Sequence, residues 1–279
     1  MMRKLALMMI AGVAAMLVAA CQKPPAATFD NRLAGDFFPL PPKAEWTYKV
    51  DSKSQRANYV VTDTVVGQKY VPSLNVTGMV VEEYYNLDRG GVRPIVYLNH
   101  KGYLDRLSGL EYQKQDIEAP AWGRSEEGEF MPRMLSPNLT WKSEIYPFGH
   151  MSGAFDISQT HHSYLEPGEV VVPAGHFVGC IRIDTDAQYE GGSYAKQGAK
   201  NLKLLYRDWY APHVGLIRTI ALEGGPSGPE MERVELVRYS IPPNGADGGV
   251  ASAPAAGGGN STGDAAQSAK SPESPSKPN

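Results

Sequence analysis

From residue 45 to residue 241 the chain is built from short runs in which apolar and polar side chains alternate. Trp46, Tyr48 and Val50 begin the pattern, with polar residues between them. Successive side chains on a strand point to opposite faces, so a period of two predicts a half-buried strand. No helical spacing of apolar residues recurs in this region. We therefore predict a mainly β fold, an antiparallel curved sheet arranged as a partial barrel or a sandwich.

Glycine and proline residues separate these runs. A loop ending at Gly102 joins predicted strands at 95–98 and 103–107 as a hairpin, because glycine supplies the positive φ that such a loop needs. Further strands are predicted at 46–50, 59–66 (ending at Gly67), 79–87, 141–146, 154–164, 170–172, 177–184, 202–209, 216–222 and 232–241. Residues 111–140 are punctuated by Gly and Pro, and there we expect long loops.

The first 20 residues have the character of a secretory signal. Arg3 and Lys4 give a positive start, residues 5–20 carry no charge, and small residues precede Cys21. This segment resembles the lipobox of bacterial lipoproteins. The resemblance implies that residues 1–20 are removed and that Cys21 carries a diacylglycerol and acyl chains such as palmitate, which anchor the protein in a membrane. A spanning helix needs roughly 20 apolar residues, more than this stretch offers, and a plain secretion signal leaves Cys21 without a role.

Residues 21–28 form a short acylated linker. In Gram-negative lipoproteins an Asp after the acylated cysteine favours the inner membrane, so by the same resemblance Gln22 favours the outer membrane, with the body facing the periplasm. Seven extended residues span only about 25 Å. We therefore expect the folded body to lie close to the membrane.

The body is predicted at residues 29–242 and a disordered tail at 243–279. The tail is mostly Gly, Ala, Ser, Pro and Asn and has no aromatic residue, so it cannot bury enough apolar surface to fold. It is either a solvated tail or a tether. The formal net charge of the chain is −3 and no Lys/Arg cluster occurs, so we predict no nucleic-acid partner.

Three segments carry a resemblance to a known group of proteins. They are Phe37–Leu40 with Trp46-Thr47-Tyr48, Val172–Phe177 with Cys180–Ile183, and Trp209–Ile217. In the same order they resemble the YFPL…G…W.Y, VPAGTF…C.KV and YYAPGVGLVK segments of the DUF3108-like or TapB-type group of bacterial lipoprotein domains of unknown function. The resemblance implies turn and packing signatures rather than an activity. This chain departs from the group at His213, where Gly is usual, and at His176, where Thr is usual.

Two adjacent histidines, His161 and His162, suggest a metal site. On a strand their side chains point to opposite faces, so the pair would not chelate one ion. The sequence contains neither HExxH nor CxxC, the spacings typical of zinc sites. We predict no metal and no cofactor.

Cys180, with His176 and Asp184 four residues to either side, is a candidate nucleophile. Four residues of strand span about 13 Å, too far for a hydrogen-bonded dyad within one segment. The sequence has no GxSxG, P-loop or dinucleotide motif, and a lone Cys is more often a small buried hydrophobe. We predict no catalytic residues, and we expect the acidic run at 126–129 to be a solvated loop.

Aromatic side chains are the candidate ligand-binding residues, because the mouths of curved sheets often enclose ligand cavities. The set consists of Trp46, Tyr48, Trp141, Trp209 and Tyr210, with Trp122 and Tyr206 as further members. Their ligand would be apolar or a glycan. The alternative interpretation is that these rings pack in the core.

The sequence thus predicts a lipid-anchored, non-enzymatic envelope protein that binds an apolar ligand or a protein partner. Two alternatives stay open. The first is a structural accessory of an envelope complex that uses the tail at 243–279. The second is an envelope hydrolase with an unrecognised site.

Overall fold

The computed structural model describes nine segments of the chain. They are residues 35–53, 57–72, 75–86, 91–100, 102–114, 116–118, 125–148, 155–191 and 201–242. The predicted signal, Cys21, the linker, Trp122 and the tail at 243–279 lie outside them. Within these segments, no helix is long and apolar enough to cross a bilayer.

The described segments form strands, preceded by one short 3-10 helix at Gly35–Phe37. The strands are β1 (Glu45–Ser52), β2 (Ala57–Val71), β3 (Val76–Tyr85), β4 (Val92–His100), β5 (Tyr103–Ser108), β6 (Glu111–Gln113), β7 (Asp116–Glu118), β8 (Ser125–Pro132), β9 (Thr140–Phe148), β10 (Phe155–Leu165), β11 (Val170–Val172), β12 (Gly175–Phe177), β13 (Ile181–Gly191), β14 (Asn201–Ala211), β15 (Gly215–Glu223) and β16 (Glu230–Ser240).

Twelve of these strands form one antiparallel sheet that closes into a barrel. The strands β1 to β5, β8 to β10 and β13 to β16 pair in chain order, and β16 returns to pair with β1. Tyr48 of β1, for example, lies opposite Val61 of β2 and Leu236 of β16. The prediction of a mainly β, antiparallel, curved sheet is confirmed, and of the two predicted arrangements the structure has the barrel.

Bulges shape several strands of the barrel. In β2 the register shifts so that Val65 pairs with Val81 but Gly67 pairs with Val80. The backbone at Gly67 has a φ of 120°, which glycine adopts far more readily than other residues. The strand continues through this bulge to Val71. The prediction that the strand ends at Gly67 was therefore wrong, because the glycine bends the strand instead of terminating it.

Residues 111–140, predicted as long loops, contain three strands. The β6–β7 hairpin pairs separately from the barrel, and Ile117 of this hairpin packs with Leu110, Val80 and Val96 in one buried cluster. A three-residue strand is too short to show a period in the sequence, which explains why the hairpin was missed.

The third strand in this region is β8, which contains the acidic run at 126–129. Gly128 pairs with Arg106 of β5 and with Ile145 of β9. The expectation of a solvated acidic loop was wrong, since backbone pairing on both sides places this polar segment inside the sheet. Its charges had hidden the strand pattern.

The β11–β12 hairpin turns at Pro173 and Ala174, as predicted. Its backbone is attached to the barrel at two points: the Ala174 N–H donates to the Leu236 carbonyl over 2.9 Å, and the Arg218 guanidinium donates to the Val171 carbonyl. Val172 is buried in the main core cluster. This hairpin therefore packs as part of the domain.

Candidate functional site

The lumen of the barrel, meaning its interior, contains two adjacent cavities. The larger measures about 450 Å³ and the smaller about 240 Å³. Arg106, Phe130, Asp208 and Tyr210 line both of them. Volumes of this order, lined by apolar groups with a few convergent polar ones, are typical of small-molecule sites.

The smaller cavity is walled by aromatic side chains and by an unusual number of charged ones. Its lining consists of Phe38, Pro39, Leu40, Trp46, Tyr48, Asp63, Val81, Glu83, Tyr97, Arg106, Phe130, Asp208, Tyr210, Gly215, Leu216 and Thr219. Period two puts the strand residues of this set on the inward face of the sheet. Trp46 lies opposite Asp63 on the neighbouring strand, and Asp63 lies opposite Glu83 on the next.

One wall of the smaller cavity comes from the segment that precedes β1. The Phe38 ring lies 5.3 Å from the Tyr97 ring, 5.2 Å from the Phe130 ring and 6.4 Å from the Tyr210 ring, measured between centroids. These three partners belong to β4, β8 and β14. Phe38 therefore joins distant parts of the barrel wall across the lumen, with edge contacts of the kind aromatic rings prefer.

Two of the segments that carry the family resemblance meet beside this cavity. Trp46 Nε1 donates to the Val214 carbonyl over 2.6 Å, and the Tyr48 hydroxyl donates to the Leu216 carbonyl over 3.3 Å. Gly215 has a φ of 99°. A Cβ atom there would lie 3.8 Å from Trp46 Nε1, so backbone conformation rather than space makes glycine fit.

The charged groups of the smaller cavity are centred on Arg106. Its guanidinium lies 3.6 Å from Glu83, measured from Nη2 to Oε1. Glu83 also accepts a hydrogen bond from the Tyr85 hydroxyl over 2.9 Å. Burial lowers the pKa of Arg106, but the combined effect of Tyr97, Glu83 and other acidic neighbours is larger and raises it. The net pKa of Arg106 lies above its ordinary value, so the guanidinium stays charged.

Asp63 lies opposite Glu83 in the sheet. Burial, reinforced by the Glu83 charge and opposed by Arg106, raises the pKa of Asp63 to about 8. Asp63 therefore retains its proton at neutral pH. Its Oδ1 atom is buried and has no hydrogen-bond partner among the described residues.

Asp208 contributes a third carboxylate. The Thr219 hydroxyl donates to its Oδ1 atom over 2.6 Å. Burial raises the pKa of Asp208 to about 6, although the Thr219 hydrogen bond and Arg106 act in the opposite direction. Asp208 is therefore largely ionised at neutral pH.

The larger cavity is lined by fewer charges and by one buried histidine. His161 Nε2 lies 2.8 Å from the Ser143 hydroxyl, His161 Nδ1 lies 2.8 Å from the Thr185 hydroxyl, and the ring stacks on Trp141 at 4.7 Å. Burial, with the neighbouring His162, lowers the pKa of His161 to about 4. The imidazole is therefore neutral at pH 7, and both of its nitrogens have hydroxyl partners.

The structure brings together three of the five predicted ligand-binding residues. Trp46, Tyr48 and Tyr210 line the smaller cavity, and Tyr210 borders both cavities. Trp141 lies opposite His161 in the sheet and stacks on its ring, beside the larger cavity. Trp209 lies on the opposite face of β14, where its Nε1 donates to Glu166 over 2.9 Å. Neither Trp141 nor Trp209 is among the described residues that line a cavity.

The other sequence candidates are not assembled into a catalytic or metal site. Cys180 is fully buried, and burial together with Glu166 raises the pKa of its thiol to about 11, so it is not the thiolate that a nucleophile requires. His176 Nδ1 lies 3.1 Å from Glu169, while Asp184 pairs with Arg182. His162, on the face opposite His161, lies 3.0 Å from the Thr140 hydroxyl. Among the described residues no three metal-binding side chains form a group.

Sequence reasoning missed the charged residues of the lumen: Asp63, Glu83, Arg106 and Asp208. The sequence does point to Asp208. It lies two positions from both Tyr206 and Tyr210 on one strand, so the three side chains share a face, and that face is turned inward. A carboxylate at an inward position of a predicted strand is a marker for a functional site.

Comparisons with known proteins give two structural similarities. No protein-family model matches the chain, and no curated protein matches it. A candidate lipoprotein from Parabacteroides distasonis is 14% identical, covering 73% of this chain and 98% of its own, with a TM-score of 0.47. A candidate exported protein with a YmcC-like fold from Bacteroides fragilis is 15% identical, covering 74% and 99%, with a TM-score of 0.48. Similarity at this level carries no argument about function, and the DUF3108-like or TapB-type assignment stays a prediction.

Proposed function

We infer that this chain is a lipid-anchored protein of the bacterial envelope whose barrel lumen binds a small ligand without converting it chemically. The observation that carries this proposal is the pair of adjacent cavities in the lumen, of about 450 and 240 Å³. The walls of these cavities combine aromatic side chains with a few convergent polar groups, as small-molecule sites do.

The anchor is argued from sequence. Cys21 follows an uncharged apolar segment and small residues, and Gln22 occupies the position that by resemblance sorts the protein to the outer membrane. The barrel would then stand on a short linker at the periplasmic face.

A binding role fits the chemistry of the lumen better than catalysis. The lumen tyrosines Tyr48 and Tyr210 have pKa values raised by burial, so they act as neutral hydrogen-bonding groups. The Cys180 thiol is protonated and enclosed. The lumen carboxylates have raised pKa values, and the hydroxyl beside Asp208 belongs to Thr219, which donates its hydrogen bond to that carboxylate.

The test of ligand binding is native mass spectrometry of the mature acylated protein, purified from bacterial membranes. We expect a stoichiometric bound species in the wild type. Leu216→Trp, which fills the smaller cavity, should lose it. Val237→Trp, at an exposed position, is the matched control and should retain it. An empty wild type, or equal occupancy in both variants, would contradict the proposal.

The test of the anchor is metabolic labelling with a palmitate analogue. Label should be incorporated by the wild type and by Cys180→Ser but not by Cys21→Ser. Gln22→Asp should move the protein from the outer-membrane to the inner-membrane fraction. Labelling of Cys21→Ser would exclude the lipobox assignment.

A further inference from the structure

We propose that the smaller cavity binds an organic ammonium group, either a quaternary ammonium or a protonated amine, with Asp63 and Asp208 as counter-ions and tyrosine side chains as a cage. This inference rests on the proposed function, since it names the chemical class of the lumen ligand. The same group could come from a lipid headgroup or from a free amine, and the experiment distinguishes these sources.

Acidic side chains outnumber basic ones in the lining of the smaller cavity. Asp63, Glu83 and Asp208 face it, whereas Arg106 is the one basic side chain among its described lining residues. Arg106 lies beside Glu83 and so neutralises one of the three carboxylates. Of the remaining two, Asp63 is neutralised by a proton and Asp208 is largely ionised. The cavity therefore keeps one negative charge without a basic partner, and such a buried charge favours a bound cation.

The protonation state of Asp63 also favours a bound cation. Its Oδ1 atom is buried and accepts no hydrogen bond from the described residues, and its pKa is raised to about 8 by burial and by Glu83. A proton therefore serves as the counter-ion of this carboxylate when no ligand is bound. A bound cation would take over that role and release the proton.

The aromatic wall of the cavity favours a bound cation as well. Tyr48, Tyr97 and Tyr210 line the cavity together with Trp46 and Phe38. Aromatic faces attract ammonium groups, and enclosure by several rings is the usual protein solution for quaternary ammonium. A site with this wall is better suited to an organic cation than to a hydrated ion.

A metal ion is a poorer match. Calcium and magnesium are held by six or more oxygen ligands at short distance, and no three metal-binding side chains in the described part of the chain form such a group. The carboxylates surround a volume of about 240 Å³. That arrangement suits a cation several ångströms across.

The experiment is titration calorimetry on the full mature protein in a non-ionic maltoside detergent. The probes are choline and its uncharged carbon isostere 3,3-dimethylbutan-1-ol, followed by tetramethylammonium, phenethylamine and spermidine. We expect at least one ammonium probe to bind, and choline to bind at least tenfold more tightly than its isostere. Failure of all four ammonium probes, or equal affinity for the isosteres, overturns the proposal.

Variants locate the site. Asp63→Asn and Asp208→Asn should each weaken ammonium binding by tenfold or more. Glu45→Gln is the control, because Glu45 lines neither cavity and lies beside Arg238 at the surface. Near-UV circular dichroism verifies that each variant folds. If Asp63→Asn does not fold, Glu83→Gln and the wild-type pH series below still decide the question.

The pH series uses choline because its charge does not depend on pH. The titratable and charged groups that act on Asp63 are Tyr48, Glu83, Tyr85, Tyr97 and Arg106. The three tyrosines have pKa values raised by burial and Arg106 stays charged. The pKa of Asp208, which lines the same cavity, is about 6 and lies below this pH range, whereas the pKa of Asp63 lies within it. Choline affinity should rise about tenfold from pH 7 to pH 9, with proton release at pH 7 visible as a buffer-dependent heat. A flat profile with no proton release would overturn the assignment of Asp63.

Native mass spectrometry separates this inference from the proposed function. A co-purified ammonium lipid or a free amine supports both proposals, and its mass identifies the source. A neutral or anionic species in the lumen leaves the proposed function standing and refutes the ammonium proposal. An empty lumen without probe binding refutes both.

Discussion

Two charged clusters, one on each face of the barrel wall, differ in how their charges are balanced. On the outer face, Asp184 lies 2.9 Å from Arg182 and 3.6 Å from Arg207, measured between the closest nitrogen and oxygen atoms. Glu166 lies 3.7 Å from Arg182 and accepts the Trp209 hydrogen bond. Two acidic and two basic side chains therefore compensate one another.

The lumen cluster is unbalanced. Three carboxylates, Asp63, Glu83 and Asp208, face the smaller cavity with Arg106. Burial raises the pKa of Asp63 to about 8 and that of Asp208 to about 6. The same residue types therefore compensate one another on the outer face and leave an uncompensated negative charge in the lumen, as ionisable groups in binding sites often do.

Removing the positive charge of Arg106 from the lumen should have the largest effect on stability. Arg106→Met leaves Glu83 and Asp208 without their positive neighbour. We expect the free energy of unfolding to fall by about 2 to 3 kcal/mol, less than for a fully buried pair, because the Arg106 side chain is 39% exposed. Arg207→Met on the outer face is the matched control. Its expected loss is below about 1 kcal/mol, because Asp184 keeps its closer partner Arg182. Urea unfolding followed by tryptophan fluorescence measures both. Equal losses would show that the two clusters do not differ as described.

The pH dependence of Asp63 should have the next largest effect. Its folded-state pKa lies above its unfolded value, so the stability it contributes is fully present below about pH 4 and is lost as pH rises through 8. Wild-type stability should therefore decrease by about 2 kcal/mol between pH 6.5 and pH 9 relative to Asp63→Asn. Asp184→Asn, on the outer face, should follow the wild-type profile. Parallel profiles for the wild type and Asp63→Asn would contradict the raised pKa.

The sequence predicted the strands whose two faces differ in polarity and failed where they do not. Trp46, Tyr48 and Val50 alternate cleanly, and β1 lies where that pattern indicates. In β8 the acidic run at 126–129 masks the alternation. Closure of the barrel depends on pairing β16 with β1, residues nearly two hundred positions apart, and local patterns carry no information about such contacts.

The candidate site was predictable only where it depends on alternation within one strand. Trp209 and Tyr210 are adjacent, so strand geometry alone excludes a shared cavity face, and Tyr210 is the one that faces the lumen. Asp63 and Glu83 lie opposite each other in the β2–β3 register. The bulge at Gly67 shifts that register, so the pairing cannot be predicted from the sequence. The aromatic wall could therefore be anticipated, but the charged groups within it could not.

The smallest effect should come from two adjacent histidines on opposite faces of β10. The pKa of His161 is lowered to about 4 by burial and by His162, which is below the unfolded value of about 6.5. The folded state thus binds fewer protons, and stability present above about pH 6.5 is lost as pH falls towards 4.

We therefore expect the wild type to lose about 1 kcal/mol more than His161→Gln between pH 7 and pH 5.5. Glutamine preserves hydrogen bonding to Ser143 and Thr185 but cannot titrate, so the difference isolates the proton. His162→Gln, on the outer face beside Thr140, should keep most of the acid sensitivity, because burial is the main cause of the lowered pKa of His161 and only the smaller contribution of His162 is removed. Equal loss of the acid sensitivity in both variants would show that His161 and His162 take up the proton together. The difference between the lumen and the outer face would then not extend to β10.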